Sequence, residues 1–197
     1  MGWGERLEAV LLLAMLAPFL IATGVALVVL SRRSPLVAHG RVGLRGRPFW
    51  TLKFRTMWPD RGRSKFAFIE RVVEDPGPDL KTAVDPRVTS RFARVCRRYS
   101  IDELPQLVNV VRGEMALVGP RPLTREEMRE HYAADAPEVL SVKPGITGLW
   151  QVMGRSRLTY PQRRRLDLFL VRKRSARLYL AIVLRTLPEV LAGRNSW

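Results

Sequence analysis

Residues Ala9–Ser31 read AVLLLAMLAPFLIATGVALVVLS, with no charged side chain anywhere in the run. A helix of about 20 apolar residues covers the hydrocarbon core of a bilayer, so this stretch is long enough to be a membrane helix. A secretory signal has a shorter apolar stretch, about 7–15 residues, behind a basic start. Here Glu5, Arg6 and Glu8 nearly cancel, and Leu30 is followed by Ser31-Arg32-Arg33 rather than by a small-residue cleavage site. Arg32, Arg33, Arg41, Arg45 and Arg47 crowd the far flank. By the positive-inside rule that side faces the cytoplasm. Pro18, near the middle, removes a backbone donor and predicts a kink. Two paths stay open: a kinked span, or a helix that enters, bends at Pro18 and leaves by the same face. Helix physics alone leans toward the span, because membrane helices tolerate proline.

Outward from that segment, Arg41-Val42-Gly43-Leu44 and Phe49-Trp50-Thr51-Leu52-Lys53-Phe54 flank Arg45-Gly46-Arg47-Pro48, which predicts a β-hairpin. Residues 59–87, rich in proline and charge, predict loop with a short helix around Phe66–Val73. Val88, Phe92, Val95 and Cys96 at helical spacing predict a basic helix from Arg87 to Tyr99. Leu104, Leu107, Val108 and Val111 share the next helical face, and Gly113 ends it. Gly119-Pro120-Arg121-Pro122 reads as a rigid turn, Thr124 as the start of an amphipathic helix, and Lys143–Gly148 as a loop. From Arg163 to Gly193 arginines alternate with Leu166, Phe169, Leu170, Leu178, Ile182 and Leu187. Such a tail either lies on a membrane surface or packs on the protein's own core.

The whole chain has 197 residues, 47% of them hydrophobic, and a net charge of +16. Charge of that size selects anionic partners: nucleic acid, an anionic membrane surface or phosphorylated substrates. One cysteine, Cys96, excludes an internal disulfide and a cysteine-based zinc site, and two histidines, His39 and His131, give no triad. Chemistry is left to carboxylates, arginines and lysines.

Asp102-Glu103 is the leading pair. In structural terms, Ser100 and Glu103 have capping-box spacing, or Asp102 is itself the cap. In chemical terms, a helix start attracts phosphate, a carboxylate there can attack phosphorus, and two adjacent carboxylates suit Mg²⁺. Arg97 precedes the pair, and Arg121 is held between two prolines; both are suited to two-pronged phosphate binding. Asp167 stands among arginines, where an ion pair is the ordinary expectation.

These blocks, in this order, resemble the bacterial sugar transferases, small monotopic phosphoglycosyl transferases. The resemblance runs through Lys53-Phe54-Arg55-Thr56-Met57, Asp85-Pro86-Arg87-Val88-Thr89, Ser100 through Leu107 with Asn109-Val110, Leu117-Val118-Gly119-Pro120-Arg121-Pro122, Lys143 to Gly148, and Gln151-Val152-Met153-Gly154-Arg155-Ser156. It implies a mainly α fold with a small β-hairpin. Residues 1–33 would form a re-entrant, Pro18-broken membrane helix. Residues 34–197 would form a catalytic domain on the cytoplasmic face of the bacterial inner membrane, with C-terminal amphipathic helices. It implies transfer of a sugar phosphate from a UDP-sugar to polyprenol (undecaprenyl) phosphate. Asp102 would be nucleophile and Glu103 its partner, the pair would hold Mg²⁺, and Arg97, Arg121, Lys53 and Asp167 would lie around the substrate phosphates. Nucleic acid is not an expected partner under this reading. Three places depart from the family pattern: Ala17 replaces the serine before the proline, residues 33–40 match poorly, and Met153 stands where Asn or Ser is frequent. Two other functions fit parts of the sequence, a membrane-tethered basic protein for anionic lipid or nucleic acid, and a phosphohydrolase acting on a lipid diphosphate.

Overall fold

A computed structural model describes residues 2–57, 68–72, 87–88, 90–154 and 157–193. The apolar run forms a single helix, α1 (Gly2–Ser31), long and apolar enough to cross a membrane. Pro18 lies inside it without interrupting the helix, so the break expected there is absent. Packing on both sides of the proline accounts for this. Ala9 and Leu16 belong to a cluster with Phe49, Leu107, Val110 and Met115. Leu20 and Leu27 belong to another with Phe54 and Ala93. The rest of the chain therefore grips α1 along its length, while Leu11, Met15, Ile21, Val25 and Val29 on other faces are exposed.

The predicted hairpin forms from β1 (Leu36–Val42) and β2 (Pro48–Phe54), paired antiparallel from Val42↔Pro48 to Leu36↔Phe54. Arg45 and Gly46 take positive φ in the connection, and the Gly43 N–H donates to the Arg47 carbonyl at 2.8 Å. β1 starts at Leu36, inside the stretch that departs from the family pattern. A third strand, β3 (Ile69–Val72), runs parallel to β1, giving the order β2-β1-β3. This corrects the helix expected around Phe66–Val73: Phe68 is a bend, and residues 66, 67 and 73 lie outside the described ones. Four residues are too few for periodicity to separate the two states. The β1 edge supplies hydrogen-bond partners that a local reading cannot see, and Glu70 of β3 is tied to Arg55 beyond β2.

The basic helix is shorter than its periodicity implies. α2 (Arg91–Arg98) begins at Ser90, whose hydroxyl accepts the Ala93 N–H at 3.0 Å, and Val88 packs beside Phe92 from outside the helix. Ser100 then takes a left-handed φ of 54° and makes no side-chain cap. The expected capping box with Glu103 is thus not formed, nor is Asp102 the cap. Instead residues Ile101–Gln106 wind as a 3₁₀ turn that runs into α3 (Leu107–Arg112), which Gly113 closes at φ 78° as anticipated.

β4 (Ala116–Val118) and β5 (Gly145–Thr147) form a second, parallel two-stranded sheet, so the stretch expected to be loop is partly strand. Glycine is required where the segments meet: a Cβ on Gly119 would stand 2.6 Å from the Lys143 carbonyl oxygen. Thr124 starts α4 (Arg125–Glu127) through a full capping box with Glu127. The helix expected from there loosens into a π-turn at Met128–Tyr132, then a 3₁₀ turn and α5 (Ala136–Val139). α6 (Leu149–Met153), α7 (Tyr160–Arg172) and α8 (Ala176–Ala192) complete the chain. α8 packs on the protein's own core along one face and leaves another apolar face exposed. Ile182 packs with Val118, Leu149 and Leu170, whereas Leu180, Leu184, Leu187 and Leu191 point outward.

One side chain locks the helices to the sheet. Asn109 is fully buried; its Oδ1 accepts the Leu52 N–H at 3.0 Å, and its Nδ2 donates to the Trp50 carbonyl at 2.7 Å and to Glu114 Oε2 at 2.6 Å. It occupies the free edge of β2 as a neighbouring strand would. Asn109→Ala strands both backbone groups and is expected to cost at least about 2 kcal/mol. The check is a lowered unfolding midpoint in detergent relative to the native chain.

Candidate active site

The Asn109 clip fixes β2, and the residue after Leu52 is Lys53. Its Nζ lies 3.0 Å from Glu103 Oε1, joining the sheet to the 3₁₀ turn. The left-handed Ser100 reverses the chain just after α2, which brings Arg97 back near the turn; its guanidinium donates to Met57 Sδ at 2.8 Å. Lys53, Arg97, Asp102 and Glu103 therefore come together from three separate segments. Burial, with Glu103 beside it, pushes the Asp102 carboxyl up to about 6, and Lys53 and Arg97 restrain the rise. It remains charged at neutral pH but is poorly compensated, which is the condition of a reactive carboxylate.

Arg121 is directed by its two prolines toward the same region. Burial disfavours its charge, but Glu127 and Glu103 outweigh that and hold it protonated. Arg121 thus links the dyad to a second group that sequence reasoning missed: Glu127, Tyr160, Trp150 and Arg163. Glu127 is 6% exposed, accepts the Thr124 N–H at 2.9 Å and accepts the Tyr160 hydroxyl at 3.2 Å. Burial opposes its charge, yet Arg121, Thr124 and Arg41 keep its carboxyl below the usual range. The Thr124-x-x-Glu127 spacing was the available signal, and it read only as a helix start.

Asp167, grouped from the sequence with the phosphate-contacting residues, is fully buried. Its Oδ2 accepts the Tyr132 hydroxyl at 2.8 Å, and burial pushes its carboxyl up to about 7 despite that bond and the nearby Arg121 backbone N–H. The structure places it under the Arg121 loop, not beside Asp102.

Among the described residues no three His, Cys, Asp or Glu side chains group as a metal cage. Two adjacent carboxylates fit a different kind of site, since Mg²⁺ commonly takes one or two carboxylates and completes its shell with water and substrate phosphate. Asp102 and Glu103 are the pair able to do so.

The family model for bacterial sugar transferases matches residues 4–193. The chain belongs to that family. The transferase is 40% identical over 198 residues to the exopolysaccharide production protein ExoY of Sinorhizobium fredii, an alignment covering 98% of this chain and 86% of that protein. It is 39% identical over 203 residues to the UDP-glucose:undecaprenyl-phosphate glucose-1-phosphate transferase of Caulobacter vibrioides, covering 98% of this chain and 70% of that protein. With the UDP-galactose-lipid carrier transferase of Erwinia amylovora identity is 42% over 170 residues, covering 83% of this chain but 35% of the longer protein. The transferase therefore spans most of some relatives and about a third of others.

The electrostatics of the transferase site predict a titration. Lys53 favours the charged form of Asp102, so Lys53→Met leaves the neutral form less opposed and raises the pKa. In metal-free protein, carboxyl NMR is expected to show Asp102 titrating near 6 and, in the variant, higher.

Proposed function

We propose that the transferase moves a sugar phosphate from a UDP-sugar to undecaprenyl phosphate through a covalent bond to Asp102. The observation that carries this is the carboxylate of Asp102, half-compensated by Lys53 and Arg97, with Arg121 facing its neighbour Glu103, in a chain of this family.

In the first step an Asp102 carboxylate oxygen attacks the β-phosphorus of the donor. The bond from that phosphorus to the bridging oxygen breaks, and UMP leaves with the electron pair. In the second step a phosphate oxygen of the lipid attacks the same phosphorus, the acyl phosphate bond breaks, and Asp102 returns as carboxylate. The product is a lipid diphosphosugar. Arg97 and Arg121 would neutralise the phosphates, and Lys53 pairs with Glu103 beside the nucleophile. Glu103 would orient the acceptor phosphate. Asp102 and Glu103 would hold Mg²⁺, whose contribution is to offset negative charge on the donor diphosphate. Asp167, through Tyr132 and the Arg121 backbone, would set the direction of Arg121.

The same reading covers the membrane. Ala9 and Leu27 both pack on the catalytic residues' scaffold, although about 27 Å of helix separates them. Near its start the helix is also bonded to the body, with Tyr179 donating to Glu8 at 3.4 Å. A helix leaving the body to cross the bilayer alone would not be gripped at both ends. This supports a helix seated in one leaflet, with both ends on the cytoplasmic face of the inner membrane. The outward leucines of α8 would dip into the same leaflet.

The test uses protein in nanodiscs, a panel of UDP-sugars and undecaprenyl phosphate. UMP release that needs Mg²⁺ and yields lipid diphosphosugar is expected, with Asp102→Asn slower by at least ~1,000-fold. Inorganic phosphate released from a lipid diphosphate would instead favour a phosphohydrolase. A cysteine placed at Gly2 is expected to react only with cytoplasmic-side reagent; labelling from outside would refute the one-leaflet helix.

A further inference from the structure

Trp150 is 6% exposed, and its indole Nε1 has no hydrogen-bond partner among the described residues. Two guanidinium groups lie against the same ring: the Arg121 Cζ at 5.4 Å and the Arg163 Cζ at 5.1 Å from its centroid. Each has a buried Nε that also lacks an acceptor. Two positive charges thus lie against one ring whose own N–H is unpaired among the described residues. A buried donor without a partner is costly, and paired like charges are more so.

The acids nearby offset the charge of Arg121 but leave these donors unpaired. Glu127 is occupied by the Thr124 N–H and the Tyr160 hydroxyl. Asp167 accepts the Tyr132 hydroxyl at Oδ2, and its buried Oδ1 bonds neither guanidinium among the described residues. Arg163 stays beside Arg121 although burial and that neighbour both lower its pKa. A group with several anionic oxygens would satisfy all three donors at once, and phosphate is the common one that does.

We propose that Arg121, Arg163 and Trp150 Nε1 form a phosphate-binding subsite bordering the Asp102–Glu103 pair. It rests on the reading that both substrates carry phosphate, and it assigns Arg163 and Trp150 to substrate binding. The phosphate belongs either to the nucleotide donor or to the lipid acceptor.

The experiment titrates the full chain in detergent with inorganic phosphate, by calorimetry at fixed ionic strength. Arg163→Gln is expected to weaken binding at least about tenfold. Trp150→Phe, which keeps an aromatic face but removes the N–H with its five-membered ring, is expected to weaken it several-fold. Arg165→Gln, removing an exposed arginine from the same helix, is the charge control and is expected to leave binding within twofold. If Arg163→Gln unfolds the chain, Arg163→Lys, which keeps charge but loses the fork, takes its place. Equal weakening by Arg165→Gln, or none by the other two, would overturn the proposal. KM values then separate the sources: a rise for UDP-sugar assigns the donor phosphate, a rise for a short-chain polyprenyl phosphate assigns the acceptor. If neither KM moves in an active enzyme, the site binds only adventitious phosphate and the proposal fails. Phosphate binding lost in the variants of a native chain that transfers nothing would leave this subsite standing and remove the transfer reaction instead.

Discussion

The buried amide of Asn109 is the constraint on which the site depends. It closes the open edge of β2 from a helix, answering one N–H and one carbonyl that would otherwise be stranded in the core. That contact sets the height of α3 on the sheet and, with it, the 3₁₀ turn just before α3. Lys53 is one residue beyond the clipped position, and Glu103 is inside the turn, so the 3.0 Å ion pair between them follows from the clip. Asp102 is then exposed to the field of Glu103 on one side and of Lys53 and Arg97 on the other.

Around that centre the positive charge has a graded purpose. Some of it is structural: Arg55 is taken by Glu70, and Arg172 by Glu138 at 2.7 Å. Lys53, Arg97 and Arg121 instead face the dyad, where burial strengthens each Coulomb interaction. Ion pairs leave the net charge of +16 untouched, and Lys53, Arg97 and Arg121 turn part of that surplus toward the dyad. The apolar content has a similar division. One side of α1 and of α8 builds the core, and the remaining faces stay uncovered, which a bilayer-seated protein can sustain where a soluble one would aggregate.

Much of this was legible in the sequence wherever the signal was local. The uncharged run at Ala9–Ser31, the turn at Arg45–Pro48, the stop at Gly113 and the start at Thr124 each declare themselves within a few residues. β3 was not legible, because its strand character comes from the β1 edge and not from Ile69–Val72. The 3₁₀ turn was not, because the left-handed Ser100 that forces it carries the capping-box letters of an ordinary helix start. The dyad and Arg121 stood out through chemistry and the proline bracket. Trp150, Arg163 and Tyr160 did not, since nothing along the chain tells that α6 and α7 bring them to Arg121. Asp167 among arginines read as one half of an ion pair, but its hydrogen-bond partner is Tyr132, 35 positions away.

The central claim is that phosphorus is bonded to the side chain of residue 102 during turnover. Intact-protein mass spectrometry of active enzyme, given UDP-sugar and Mg²⁺ but no lipid acceptor, measures this directly. The account predicts a mass increase of one sugar phosphate, localised to Asp102, which disappears when polyprenyl phosphate is added. An unmodified chain under those conditions, in a preparation that completes transfer once the lipid is supplied, would contradict it.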